Sequence, residues 1–210
     1  DGVKGETIRE EDPPAAMLEE IKAARQHLLE TAAMYSDELM ERLLSEEEIG
    51  LAEVKQIIRS AVLQLQLTPV FLGTAYRNKG VQLLLDAVVD YLPSPLDSEV
   101  KALDHKDPTK EVPLAPEPDK PLVAMAFKLV EDSFGALTFM RIYQGKMEKG
   151  TAYINQRTGK KERFSRILKM YADEREEIDT AEAGDIVAVL GVDAASGDTY
   201  CSQSNYCTLQ

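Results

Sequence analysis

The chain has 210 residues, with no tryptophan, two histidines and two cysteines. With only two histidines, His27 and His105, no Ser/His/Asp triad is credible. Cys201 and Cys207 lack the Cys-x-x-Cys spacing of a metal site. They read as two free thiols in a reducing compartment, with a structural disulfide as the alternative. No stretch approaches the roughly 18–20 apolar residues of a membrane span. The opening DGVKGETIREEDPP has neither the apolar core of a secretory signal nor a starting Met, so the sequence reads as a cytoplasmic piece cut from a longer protein. No Gly-x-x-x-x-Gly-Lys-Ser/Thr occurs, and without that loop no backbone cradle holds a β-phosphate.

What is abundant is charge, unevenly placed. The net charge is −13. Residues 1–60 hold 15 acidic and 7 basic side chains, whereas residues 120–170 hold 4 acidic and 11 basic. One end repels nucleic acid and the other can attract it. Hydrophobic residues make up 44%, enough for a core, and the length allows one or two domains.

The periodicity changes along the chain. Residues 14–66 predict helices: Leu18, Ile21, Leu28, Leu29 and Ala32 recur near the 3.6 period, Asp37–Leu44 follows Ser36 as N-cap, and a third helix covers about 51–65. Glu6–Arg9 is a candidate edge strand. Pro69–Leu72 is short and continuously apolar, as a strand covered on both faces should be. A helix over 81–92 then carries Val81, Leu84, Leu85, Val88, Val89 and Leu92 on one stripe, so 69–92 reads as a β-then-α unit. Six of the ten prolines fall within 93–120, which predicts a linker. Beyond Pro121 the period is two. The segments 123–130, 136–145, 151–156, 161–171 and 185–190 read as strands, separated by turns such as Asp132–Gly135, Arg157–Gly159 and Ala183–Asp185. Short strands, tight turns and no helix predict a small closed β-barrel.

Several groups invite a chemical reading. Lys160, Lys161, Arg163, Arg166 and Lys169, with Lys146, Lys149 and Arg157 nearby, form either a phosphate-neutralising patch or a solvated barrel face. No aromatic platform interleaves them. The acidic helices either dock a basic partner or are plain solvated faces. Adjacent carboxylates such as Glu46–Glu48 point in different directions on a helix and do not form an acid/base pair. Asn78-Lys79 begins like the N-K-x-D guanine motif, but Val81 stands where the Asp is required. The small pair Thr74-Ala75, directly after the apolar run, lets backbone N–H groups approach a flat base, or is an ordinary turn.

One resemblance joins these pieces. GTAYRNKGVQLLLDAVVDYLPSPLD (73–97), LVAMAFKLVED (122–132), LTFMRIYQGKMEKG (137–150), KKERFSRILKMYADEREEID (160–179), AGDIVAVLG (183–191) and SGDTYC (196–201) resemble the elongation factor G family of translational GTPases, over almost the whole chain. The resemblance implies an α/β plus all-β organisation. Residues 1–95 would be the C-terminal part of a P-loop GTPase domain with its inserted helical subdomain, 96–120 a linker and 121–210 a translation-factor-type β-barrel. It implies a cytoplasmic, monomeric parent that uses GTP with Mg2+ and couples GTP hydrolysis to translocation of tRNA and mRNA on the ribosome. The alternatives are a specialised paralogue for ribosome recycling or protection, or a non-enzymatic ribosome- or RNA-binding module.

Residue by residue, the resemblance implies a guanine-contacting loop at Thr74, Ala75 and Tyr76. It implies small-subunit RNA against the basic set of the barrel, and the ribosomal stalk protein against Glu30, Asp37, Glu38 and Glu41. The phosphate-binding elements lie upstream of residue 1, so the fragment alone is expected to be inactive. Two departures stand out. Thr74 replaces the usual Ser, and Asp132-Ser133-Phe134-Gly135 is one residue shorter than the family's Asp-Pro-Phe-Val-Gly.

Overall fold

A computed structural model describes residues 11–132, 135–172 and 174–209. The chain divides into two compact units, Asp1–Pro93 and Ser94–Gln210. The candidate strand at Glu6–Arg9 and the Ser133-Phe134 pair lie outside the described residues.

The first unit is helical among its described residues. A 3-10 turn, Ala15–Met17, leads into α1, Leu18–Ala33. Helix α2, Asp37–Leu44, starts where the Ser36 hydroxyl accepts the Leu39 N–H, as the N-cap rule requires. Helix α3 spans Leu51–Leu63 and α4 spans Val81–Tyr91. Their shared core contains Leu29, Ala32, Leu39, Val54, Ile58 and Tyr91. Charged side chains lock the corners. Arg42 grips both oxygens of Glu53 at 2.6–2.7 Å, joining α2 to α3, and Lys55 reaches Asp90 at 2.6 Å, joining α3 to α4. The Arg59 guanidinium donates to the Asp90 and Leu92 carbonyls, two acceptors that the end of α4 leaves open.

Two expectations fail here. Pro69–Leu72 is not a strand, and it is not covered: Val70 is 83% exposed and Leu72 93%. A strand needs a neighbour for its N–H and C=O groups, and no strand lies among the described residues of this unit. The apolar stripe of α4 also faces outward, with Leu85 61% and Val89 78% exposed. The helix buries Ala87 and Tyr91 instead. Along α1, likewise, Leu18, Ile21 and Leu28 are exposed while Leu29 and Ala32 are buried.

The second unit is built from antiparallel strands. Residues 96–120, expected to be a linker, carry a hairpin of β1, Val100–Asp104, and β2, Glu111–Leu114. The prolines did not prevent pairing because Pro113 sits on an edge strand, where one face of the backbone needs no donor. The long strands β3, Val123–Asp132, and β4, Gly135–Gln144, pair along their whole length with two register shifts. Then come β5 (Lys146–Glu148), β6 (Ala152–Asn155), β7 (Lys161–Arg163), β8 (Ile167–Tyr171), β9 (Glu174–Ile178), β10 (Thr180–Glu182), β11 (Ile186–Leu190), β12 (Thr199–Cys201) and β13 (Cys207–Thr208). Eight of them form one curled sheet in the order β7-β6-β12-β3-β4-β11-β8-β9; β5 pairs with β10, and β13-β1-β2 form a third sheet.

The expected single strand over 161–171 is two strands. The break buries Phe164 completely, between Tyr153 and Tyr200, with ring centroids 5.0 and 5.3 Å away in edge-on geometry. Backbone bonds around the break bring the ends of the large sheet together. Gly150 N–H donates to Phe164 O, Phe164 N–H donates to Thr151 O, and Lys149 N–H donates to Asp179 O just beyond β9. Inside lies the main core, with Met140, Ile142, Met147, Phe164, Ile167 and Tyr200 among its members. Gly145 makes the bend from β4 to β5 at φ +76°, and a Cβ there would come within 2.7 Å of the Leu122 backbone.

Candidate functional site

The loop at 73–80 is held by main chain alone. Thr74 and Lys79 exchange N–H···O bonds of 2.9 and 3.1 Å, and a 3-10 turn, Ala75–Arg77, fills the space between them. Asn78 (φ +49°) and Gly80 (φ +78°) take left-handed conformations that return the chain. Gly73 and Gly80 cross closely: a Cβ on Gly73 would stand 2.9 Å from the Lys79 carbonyl. The Ala75 and Tyr76 N–H groups have no hydrogen-bond partner among the described residues, and the Tyr76 side chain is fully exposed. A hollow of about 220 Å³ borders Leu72, Gly73, Ala75, Lys79 and Leu84. Thr74, Ala75 and Tyr76 are thus brought into one bracket with free donors. That arrangement can receive a flat, acceptor-bearing ring edge. Nothing in it resembles a phosphate cradle, and no cluster of metal-ligating side chains exists among the described residues.

The basic residues are only partly brought together. Lys161 and Arg163 lie on β7, with Lys160 just ahead of it; Arg166 precedes β8 and Lys169 lies within it. In hydrogen-bonded order β7 is at one end of the large sheet and β8 is next to the other end. Between them, Arg163 and Ser165 line a hollow of about 430 Å³ together with Lys149, Gly150 and Asp179. Much of the positive charge is matched within the chain. Arg166 and Lys149 both reach Glu177, at 3.1 and 2.6 Å, Lys160 lies 3.7 Å from Asp193, and Lys146 pairs with Glu148. The strand that supplies Glu177, β9, is the acidic run EREEI, which escaped the period-two pattern because charged side chains occupy both faces. Lys161 has no ion-pair partner among the described residues. Lys169 sits over the Tyr171 ring, 5.7 Å from its centroid, and Arg141 sits over Tyr143 at 4.8 Å.

Glu30, Asp37, Glu38 and Glu41 are all exposed. Glu30 accepts a bond from Gln26 at 2.9 Å. Asp37 and Glu38 occupy the first turn of α2, where the helix dipole favours them, and Glu41 lies one turn from Asp37. Met34 and Leu44, 66% and 78% exposed, flank this face and make it both acidic and apolar.

The sequence reading missed a buried polar cluster beneath the 192–198 loop. Asp198 receives a two-pronged bond from Arg157, with the Nη2 contact at 2.9 Å, and accepts from Asn155 Nδ2 and the Ala195 N–H at 2.8 Å each. The Arg157 guanidinium, helped by these donors, holds the Asp198 carboxyl down at about 2. The Tyr200 hydroxyl accepts a hydrogen bond from Asn155 Nδ2, and burial pushes its pKa up. Glu162 accepts the Asp193 N–H, and burial raises its carboxyl as well; its Oε1 finds no partner. The only sequence signal was the turn Arg157-Thr158-Gly159, which gives no hint that its Arg reaches a residue 41 positions on.

Residues 121–203 match the family model for elongation factor G domain 2. Over all 210 residues the chain is 55% identical to an elongation factor G of Rhodopirellula baltica, covering 100% of this chain and 30% of that relative. Over its whole length the chain is therefore similar to a segment of elongation factor G. An elongation factor G 1 of Desulfotalea psychrophila is 44% identical over 210 residues, and one of Borreliella afzelii 45% over 207, each again covered for 30% of its length. The chain therefore spans about a third of these elongation factors. A solved structure of a protein from Thermus thermophilus shares the fold with a TM-score of 0.70 at 24% identity, covering 93% of this chain and 27% of that one. The curled sheet over these residues is consistent with the β-rich domain 2 of elongation factor G. No helix among the described residues is long and apolar enough to cross a membrane.

Proposed function

We propose that this chain is part of a cytoplasmic translational GTPase of the elongation factor G type. Its parent would couple GTP hydrolysis, with Mg2+, to movement of tRNA and mRNA on the ribosome. The observation that carries this reading is 55% identity to an elongation factor G over an alignment that covers the whole chain. In this reading 1–95 closes the nucleotide-binding domain and includes its helical insertion, 96–120 leads on from it, and 121–210 is the barrel.

The residues present fit only part of the nucleotide. The unpartnered Ala75 and Tyr76 N–H groups suit a guanine edge, with Ala75 giving its N–H to the base carbonyl. The chain offers no loop for the phosphates. The exposed Pro69–Leu72 segment and the outward stripe of α4 are the surfaces such a domain would cover, which supports placing them at its C-terminal end. Lys160, Lys161, Arg163, Arg166 and Lys169 would meet small-subunit ribosomal RNA. Glu30, Asp37, Glu38 and Glu41 would meet a basic surface of the ribosomal stalk protein.

The test is a pair of titrations with labelled GTP. The parent gene product binds GTP and hydrolyses it faster in the presence of ribosomes. The 210-residue chain does neither at micromolar concentration. Micromolar GTP affinity in the 210-residue chain would overturn this assignment of parts, because the guanine edge alone cannot supply it. A parent that ribosomes fail to stimulate would overturn the function.

A further inference from the structure

Cys201 closes β12 and Cys207 opens β13, with five residues between them. Both are reduced, both have no exposed surface, and both belong to one apolar cluster with Ala102, Leu114, Val123 and Leu209. The intervening loop is a tight return. Asn205 takes φ +51°, the Ser202 hydroxyl accepts the Leu122 N–H, and the Gln156 side chain bonds both Gln203 O and Tyr206 N–H. The return sets the two thiols against each other. The Cys201 thiol points at the Cys207 carbonyl, sulfur to oxygen 3.7 Å.

We propose that Cys201 and Cys207 form a reversible dithiol–disulfide site that hydrogen peroxide oxidises to an intramolecular disulfide. The two thiols are inequivalent. The Cys201 thiol, donating to its neighbour, holds Cys207 below its ordinary pKa, while its own is raised by that bond and by burial. Cys207 is therefore the first sulfur to react. Its thiolate attacks one peroxide oxygen, the O–O bond breaks, and the released hydroxide takes a proton to become water. The sulfenic acid left on Cys207 is then attacked by the Cys201 sulfur. The S–S bond forms, the S–O bond breaks, and the departing hydroxide leaves as water with the Cys201 proton. Two thiols and one peroxide give one disulfide and two waters.

Burial decides the chemistry as well as the rate. Peroxide, little larger than water, enters when the 202–206 loop opens. A tripeptide thiol such as glutathione meets a closed apolar cluster, so the neighbouring cysteine resolves the sulfenic acid before a mixed disulfide forms. The product ties β12 of the large sheet to β13 of the three-stranded sheet.

The test uses the intact chain treated with hydrogen peroxide and then alkylated in denaturant. The expected product is a monomer lighter by two hydrogen atoms, with neither cysteine alkylated, reverting to two alkylatable thiols after dithiothreitol. Chymotryptic cleavage after Tyr206 cuts between the two cysteines, so the fragments stay joined until reduction. Cys201→Ser and Cys207→Ser each lose the two-hydrogen shift, and the wild-type map stands without them if either variant fails to fold. Two alkylatable thiols after peroxide, a covalent dimer, or a single cysteine carried to sulfinic acid while the other stays free would each overturn the proposal.

Discussion

Asp198 is the residue on which the loop over the buried cluster depends. Its carboxylate is almost wholly enclosed and accepts from Arg157, Asn155 and Ala195. Its folded pKa of about 2 lies below the unfolded 3.8, so the stabilisation is complete above pH 4 and disappears as pH falls through about 2. The shift corresponds to about 2 kcal/mol. Acid titration of unfolding should show this loss in the wild type and not in Asp198→Asn. Asp198→Ala, which leaves Asn155 and the Ala195 N–H without their acceptor, should cost about 1–3 kcal/mol at neutral pH by denaturant melts. Phe164 has an equally local role of a different kind. It has no exposed surface and fills the gap where one strand becomes two, so Phe164→Ala should cost about 3–5 kcal/mol. Neither role was legible in the sequence. A residue's partners across 41 positions are set by the fold, and Phe164 looked like one more alternating strand residue.

At the scale of elements, local rules read well where the element satisfies itself. Helix α2 begins at its serine cap and ends at Leu44, as its own residues specify. The long hairpin of β3 and β4 follows the period-two pattern. Elements that depend on a neighbour read poorly. Pro69–Leu72 has strand composition and no strand partner, and the stripe of α4 has core composition yet is left largely exposed, Leu85 and Val89 most of all. The hairpin of β1 and β2 was hidden by its prolines, and β9 by its charges. Gly145 is the element-level counterpart of Asp198. A side chain there must take φ +76° while meeting the Leu122 backbone, so Gly145→Ala should destabilise by on the order of 3 kcal/mol and lower the melting temperature of the barrel unit.

For the whole molecule, the charge asymmetry was legible in the sequence, but its strength was not. Counting side chains gave residues 120–170 a clear positive excess. The fold then returns acidic β9 beside Arg166 and Lys149 and matches several of those cations. The cations without an ion-pair partner among the described residues include Lys161, Lys169 and Arg163, whose Nε donates to Gly150 O. Reversing Lys160, Lys161 and Arg163 to Glu should therefore weaken RNA binding and lower the slope of log affinity against log salt by about 2. An unchanged slope in filter binding would remove these three residues from the interface. Arg166→Glu, already matched by Glu177, should have a smaller effect.

The bracket at 73–80 has a consequence for how such a loop can vary. Every bond that holds it runs between peptide groups, and its sharpest returns are at Asn78 and Gly80. The side chains of residues 75–77 are therefore not structural members of the loop, and they can be exchanged without changing its path. Shape and chemical lettering are carried by different atoms, so selection or an engineer can rewrite what the loop presents while Gly73 and Gly80 keep it in place.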